Sequence, residues 1–414
     1  MWYGIDFGTS NSLLSFVEKG ESPRVINLEK DSPILRSLIF TPDEGEYYFG
    51  SEAIEKYQEL GGDGRFFRSL KKFLPEPSFK GTEVFGRRMK IEDLVAIILR
   101  EIKKRADLEV GHNVENVVLG RPALYSLDPE KDQLAEQRMR KAAVLAGFKR
   151  VEFCPEPVAA GLDVETEISE KAILICDFGG GTSDFTLLKN SSAGYSSEDV
   201  LGLSGIFVAG DAFDGRVMRS FVSSEFGRDV KYKAPMGNNL LGFPKKLLKK
   251  LCNPAHIVFL KDRESWEFLK ELEQWSVGEL DQKYFKQLFC LVEEQLGYPL
   301  YAKIEESKIE LGEKSSAFTF NHPGIKIEMT IEKKDFEVAV EPEIGEIFES
   351  LEKVFIQSGL EKSDISMVRI TGGTGQMPLV QERLIELFGR DKIKMNEVFQ
   401  SVVQGLGKYA ENLI

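Results

Sequence analysis

One feature constrains this 414-residue chain more than any other: a short pattern near its start is written again 171 residues later. Ile5-Asp6-Phe7-Gly8-Thr9-Ser10-Asn11 recurs in style as Cys176-Asp177-Phe178-Gly179-Gly180-Gly181-Thr182-Ser183-Asp184. That period is a domain length and is too long for a solenoid, so it predicts a duplicated domain and two lobes. At about 150 residues per domain, the length of the chain agrees. Each copy reads as an apolar strand, an Asp at its end, a turn of small residues and a second strand. In the second copy the strands fall at 172–176 and 185–188, which predicts a β-hairpin.

Between the copies, apolar spacing predicts a helix over 91–105, a buried strand over 114–120 and a helix over 128–146. Strand and helix alternate, which gives an α/β class. The segment 228–297 has several helical signals, among them 266–275, and reads as an inserted helical subdomain. The pattern then returns as a strand over 367–370, the turn Thr371-Gly372-Gly373-Thr374-Gly375, a helix over 377–388 with Pro378 in its first turn, and a last helix over 399–413.

Charge and composition narrow the function classes. A net charge of -13 disfavours broad attraction to nucleic acid or to an anionic membrane. The best apolar run, 94–99, is far too short for a bilayer, and the N-terminus has no basic, apolar leader. Four cysteines without CxxC spacing and three scattered histidines make a zinc site or a disulfide framework unexpected. A cytoplasmic protein is the expectation. The basic stretch 244–251 reads as a solvated helix face.

Glycine-rich turns after strands let backbone N–H groups approach a phosphate with no Cβ in the way. Three occur, at 8–11, 179–182 and 372–375. One alone is an ordinary tight turn; three, two of them related by duplication, point to phosphates. Asp6 and Asp177 precede two of the turns, as an Asx-turn cap or as the one or two carboxylates that Mg²⁺ needs beside phosphate oxygens. Other phosphate-binding patterns fail. Gly407-Lys408 is followed by Tyr409, Gly179-Gly180-Gly181 leads into a strand, and the protein-kinase lysine and catalytic-loop motifs are absent.

On five stretches the chain resembles the ATPase domain of the seventy-kilodalton heat-shock chaperones, within the actin-like ATPase superfamily. These are the two Asp-Phe-Gly turns, Glu156-Pro157-Val158-Ala159-Ala160 with Pro122-Ala123 upstream, Gly210-Asp211-Ala212-Phe213-Asp214, and Gly372-Gly373-Thr374-Gly375-Gln376-Met377-Pro378. It looks like the truncated YegD-like branch. The resemblance implies a duplicated α/β, ribonuclease H-like two-lobed fold with a nucleotide cleft between the lobes. Lobe I would span 1–170, with a C-terminal helix at 396–414 packing back on it. Lobe II would span 171–395, with a helical insert at about 211–330.

The resemblance also implies a site. Asp6 and Asp177 would organise Mg²⁺ through water, and Gly8, Thr9, Ser10, Asn11, Gly179, Gly180, Gly181 and Thr182 would hold phosphates, with Gly210 and Asp211 beside them. Lys71 resembles the catalytic lysine, with Lys72 as the alternative, while Glu156 and Asp184 would serve the attacking water. Glu305, Lys308, Gly372, Gly373, Thr374 and Gln376 would contact the adenosine. The sequence departs from the family at Ile309 and Gln376, where members carry a base-stacking arginine.

The function so implied is a slow, Mg²⁺-dependent ATP hydrolase of chaperone type, binding ATP or ADP, with a co-chaperone or client protein as partner. A small-molecule kinase of the same fold is one alternative, although no base carboxylate in a sugar-specific motif is found. An actin-like filament-forming ATPase is the other. The sequence ends soon after Gly405-Leu406-Gly407, with neither an acidic-hydrophobic linker nor a β-sandwich, so peptide capture is not expected.

Overall fold

The computed structural model describes residues 1–162, 172–189, 199–235, 237, 239–279, 281–395 and 401–414. Two mixed sheets organise them. In the first, the strands run in the order Arg150–Pro155, Asn116–Arg121, Trp2–Phe7, Asn11–Val17, Arg24–Ile26, with Leu35–Arg36 also on Asn11–Val17. In the second the order is Val200–Ile206, Ser183–Leu188, Ala172–Phe178, Ile365–Thr371, Ile393–Met395.

The duplication reaches beyond the turns into sheet topology. Trp2–Phe7 pairs antiparallel with Asn11–Val17 on one side and parallel with Asn116–Arg121 on the other. Ala172–Phe178 does the same with Ser183–Leu188 and Ile365–Thr371. These central strands are covered on both faces, which is why they read as continuous apolar runs rather than alternating ones. Ile173, Leu174, Ile175 and Cys176 are all fully buried.

Helices fill three layers around the sheets. Ile91–Val110 and Pro129–Leu145 pack on one face of the first sheet, in a core with Tyr3, Ile5, Val117 and Leu119. Pro129 occupies the first turn of its helix, and the Asp128 carboxylate accepts from the N–H groups of Glu130 and Lys131. Ile91–Val110 ends at Gly111, whose φ of 74° suits glycine. Between the sheets lie Glu156–Leu162 and Ser401–Glu411, in one cluster with Val118 of the first sheet and Ile173, Ile175 and Leu188 of the second. These two helices approach so closely that a Cβ on Gly405 would lie 1.7 Å from the Ala159 carbonyl oxygen. The far face of the second sheet carries Gly210–Ser220 and Lys333–Ser358.

The segment 228–297 forms helices at Lys245–Leu251, Arg263–Trp275 and Asp281–Glu293. Their apolar faces join the core of the second sheet, so the segment shares that core. Lys245–Leu251 buries Leu247 and Leu251, and its Lys246 pairs with Glu264 at 2.7 Å, as a solvated face should. The cysteines are free thiols. Among the described residues no helix is long and apolar enough to cross a membrane. The expected division at 170/171 and the start of the last helix at 396–400 lie outside the described residues.

Candidate functional site

The two duplicated turns close with the same hydrogen bond: Gly8 N–H donates to Asn11 O at 2.9 Å, and Gly179 N–H to Thr182 O at 2.9 Å. They face each other across a narrow gap. A Cβ on Gly180 would fall 2.3 Å from Ser10 Oγ, and one on Gly181 would fall 2.7 Å from Lys72 Cε. The third turn is bound to the second, since Thr374 Oγ1 donates to Gly179 O at 2.9 Å. Gly372 there has φ of 80°, and a Cβ on it would lie 2.1 Å from Phe178 O, so glycine is required twice over. The helix starting at Gly210 joins them through Asp211 N–H, which donates to Gly180 O at 2.7 Å. Four backbone segments thus meet around one cavity of about 490 Å³.

Asp6, Gly8, Thr9, Ser10, Asn11, Lys71 and Glu156 border that cavity from one side. Asp177, Gly179, Gly180, Thr182, Gly210, Asp211, Glu305, Lys308, Gly372, Gly373, Thr374 and Gln376 border it from the other. Of the residues expected there, Gly181 and Asp184 do not reach it. Asp184 is 2% exposed and sits directly opposite Asp177 in the hairpin. The first copy has Leu13 at the corresponding place, opposite Asp6. Duplicated backbone therefore carries an acid on one side only.

The neighbouring lysines part company. The tight turn Leu70–Phe73 is entered through Ser69 at φ of 56°; Lys71 borders the cavity, whereas Lys72 is not part of its wall and pairs with the wall residue Asp211. Lys71 Nζ lies 2.7 Å from Glu156 Oε1. Lys72 Nζ lies 2.6 Å from Asp211 Oδ2. Burial works against the charge on Lys71, but Glu156, then Tyr125 and Asp6, outweigh it and hold the ammonium protonated. Burial also works to raise Asp211, but Lys72 and Arg68 hold its carboxyl below the usual range.

Asp6, Asp177 and Asp184 behave oppositely. Burial, reinforced by Glu156, pushes Asp6 up to about 8. Burial and then Glu156 push Asp177 up to about 6, against a hydrogen bond from Thr371 Oγ1 at 2.9 Å. Asp184 is raised well above the carboxylate range by burial and by Asp177. Packed acids that resist ionising are a site that a cation would relieve. Among the described residues no group of three or more His, Cys, Asp or Glu side chains could chelate a metal unaided. The chemistry present suits Mg²⁺, which needs one or two carboxylates and takes its other ligands from water and phosphate.

The far end of the cavity is a slot between the helix Gly297–Glu313 and the Gly372 turn. A Cβ on Gly312 would lie 3.1 Å from Pro378 Cδ. Lys308 Nζ is held 2.8 Å from Asp214 Oδ1 and 3.4 Å from Gly210 O. Ile309 lines the slot while remaining 68% exposed. Sequence reasoning missed several wall residues. Thr371 and Asp214 lie within stretches already singled out but were given no role there; in the structure Thr371 pairs with Asp177 across the strands. Arg36, Arg68 and Tyr298 meet only in three dimensions: Arg36 Nη1 donates to Tyr298 Oη at 3.4 Å, and the Arg68 guanidinium lies 6.0 Å from the Tyr298 ring.

Comparison with known proteins adds a family. A profile of the Hsp70 protein family matches residues 76–241 and 282–405. The chaperone protein DnaK of Thermosipho melanesiensis is 24% identical over 406 residues, which cover 97% of this chain and 57% of that protein. The chain thus spans a little over half the length of that curated relative.

Proposed function

Because the chain belongs to the Hsp70 family, whose fold is that of the actin-like ATPases, we propose that its central cavity binds a magnesium–adenine nucleotide and hydrolyses ATP slowly. The observation that carries this reading is the pair of turns with identical closing bonds, facing each other with an acid behind each. The backbone amides around Gly8–Asn11 and Gly179–Thr182 would hold phosphate oxygens from both sides. Asp6 and Asp177 would hold Mg²⁺ through water, and the ion would supply neutralising charge to the phosphates. The glycine slot with Glu305, Lys308 and Gln376 would take the adenosine. On this reading the two sheets belong to two lobes, 1–170 and 171–395, with 396–414 returning to the first. The protein would work in the cytoplasm as a chaperone-type ATPase beside a co-chaperone or client protein.

Lys71, kept charged by Glu156, would stabilise charge on the γ-phosphoryl oxygens as it develops. Glu156 would orient the lysine and the attacking water. Asp184, behind Thr182 and outside the cavity, would act through its neighbours as a positioning residue. Lys71→Ala should therefore lower the single-turnover hydrolysis rate by about 10²-fold while nucleotide affinity stays within roughly twofold. Rapid-quench hydrolysis and equilibrium binding on the same variant separate the two effects. Hydrolysis at the wild-type rate would remove the lysine from the mechanism.

A further inference from the structure

A second cavity of about 560 Å³ opens between residues 42–94 and 254–298 and shares only Arg68 and Tyr298 with the first. Aromatic rings dominate its wall: Tyr57, Phe66, Phe73, Phe79, Phe259 and Tyr298. They brace one another, with Phe66 and Tyr298 at 4.5 Å between centroids and Phe73 and Phe79 at 5.2 Å. Its charges balance, with Arg65, Arg68 and Lys261 against Asp63, Glu83 and Asp262. The volume is that of a small-molecule site and too small for a folded segment.

An independent observation falls on the same place. Among the described residues, the non-glycine positions with positive φ are Ser69, Phe85 and Gln295. Phe85 and Gln295 line this cavity, and Ser69 stands between Arg68 and Leu70, which also line it. Phe85 is the clearest case. With Gly86 it forms the two-residue loop of the hairpin Thr82–Val84 and Arg87–Met89, at φ of 48° and 74°. A loop with both angles positive is a type I′ turn, whose first position favours Asn, Asp or Gly. A bulky aromatic residue is strained there, and strain of this kind persists where a site uses it. Its ring stands at the cavity mouth, 39% exposed.

We propose that this second cavity is a binding site for an uncharged, planar aromatic small molecule, with Phe85 placed at its mouth to cover the bound ring. Aromatic rings around the wall select a flat apolar ligand, and the balanced charges leave no demand for a counter-ion. The test is a fluorescence titration of the full chain with Nile red, an uncharged planar dye, with and without saturating MgADP. One saturable site per chain is expected in both conditions. Phe85→Asn should weaken it roughly fivefold with no fall in melting temperature, because Asn suits the turn. Val258→Trp, which fills the cavity from an exposed wall position, should abolish it. Val277→Trp, exposed and outside the wall, should leave it unchanged. Absence of a saturable site, or wild-type affinity in Val258→Trp, overturns the assignment.

Discussion

The acids around the central cavity set a pH dependence that can be derived residue by residue. Asp6 and Asp177 have native-state pKa values of about 8 and about 6, raised chiefly by burial. Between the ordinary carboxylate range and those values, the folded protein binds more protons than the unfolded chain. These two acids then make the nucleotide-free protein less stable as pH rises through that window. Melting temperatures taken from pH 5 to pH 8 should decline, and Asp6→Asn should flatten the slope because its amide never ionises. A rising curve would contradict the assignment. Gly180 gives a second prediction at this scale. A Val there would drive its Cβ into Ser10 Oγ, 2.3 Å away, so Gly180→Val should lose nucleotide affinity at least tenfold. Calorimetric titration reads this directly. The proposed adenosine slot offers Ile309 and Gln376 to the base and no guanidinium at those two positions, so on that reading ATP should be preferred over GTP by well under a thousandfold in parallel titrations.

At the scale of elements, the least forgiving contact is between the helices Glu156–Leu162 and Ser401–Glu411. The clash a Cβ on Gly405 would make is with backbone at Ala159, which cannot rotate aside. Gly405→Ala should cost about 1–3 kcal/mol, seen as a lower urea midpoint with an unchanged slope. These helices also explain what sequence could and could not reveal. Both hairpins, the helix starting after Asp128 and the strand before Gly372 were legible because period, caps and glycine placement act locally. Which of Lys71 and Lys72 borders the cavity was not legible. That is settled in the short 3₁₀ segment entered through the left-handed Ser69, where adjacent side chains take different partners. Nor could local pattern show that 228–297 would share the core of the second sheet, because that merger is a matter of tertiary packing.

For the whole molecule, the sequence repeat and the sheet topology express one arrangement twice, and the two copies differ where chemistry is proposed. Asp184 faces Asp177, whereas Leu13 faces Asp6. The two facing turns and the acids Asp6 and Asp177 were readable from sequence because duplication marked them. Arg36, Arg68 and Tyr298 were not, because they come from separate segments with no shared motif and meet only at the cavity rim. The central claim is that these turns hold a magnesium nucleotide. Isothermal titration of the full chain with ADP, in excess Mg²⁺ and again in excess EDTA, tests it most directly. The account predicts one saturable site per chain with Mg²⁺ and a loss of at least tenfold in affinity without it. No detectable binding at millimolar MgADP, or equal affinity in both conditions, would contradict it.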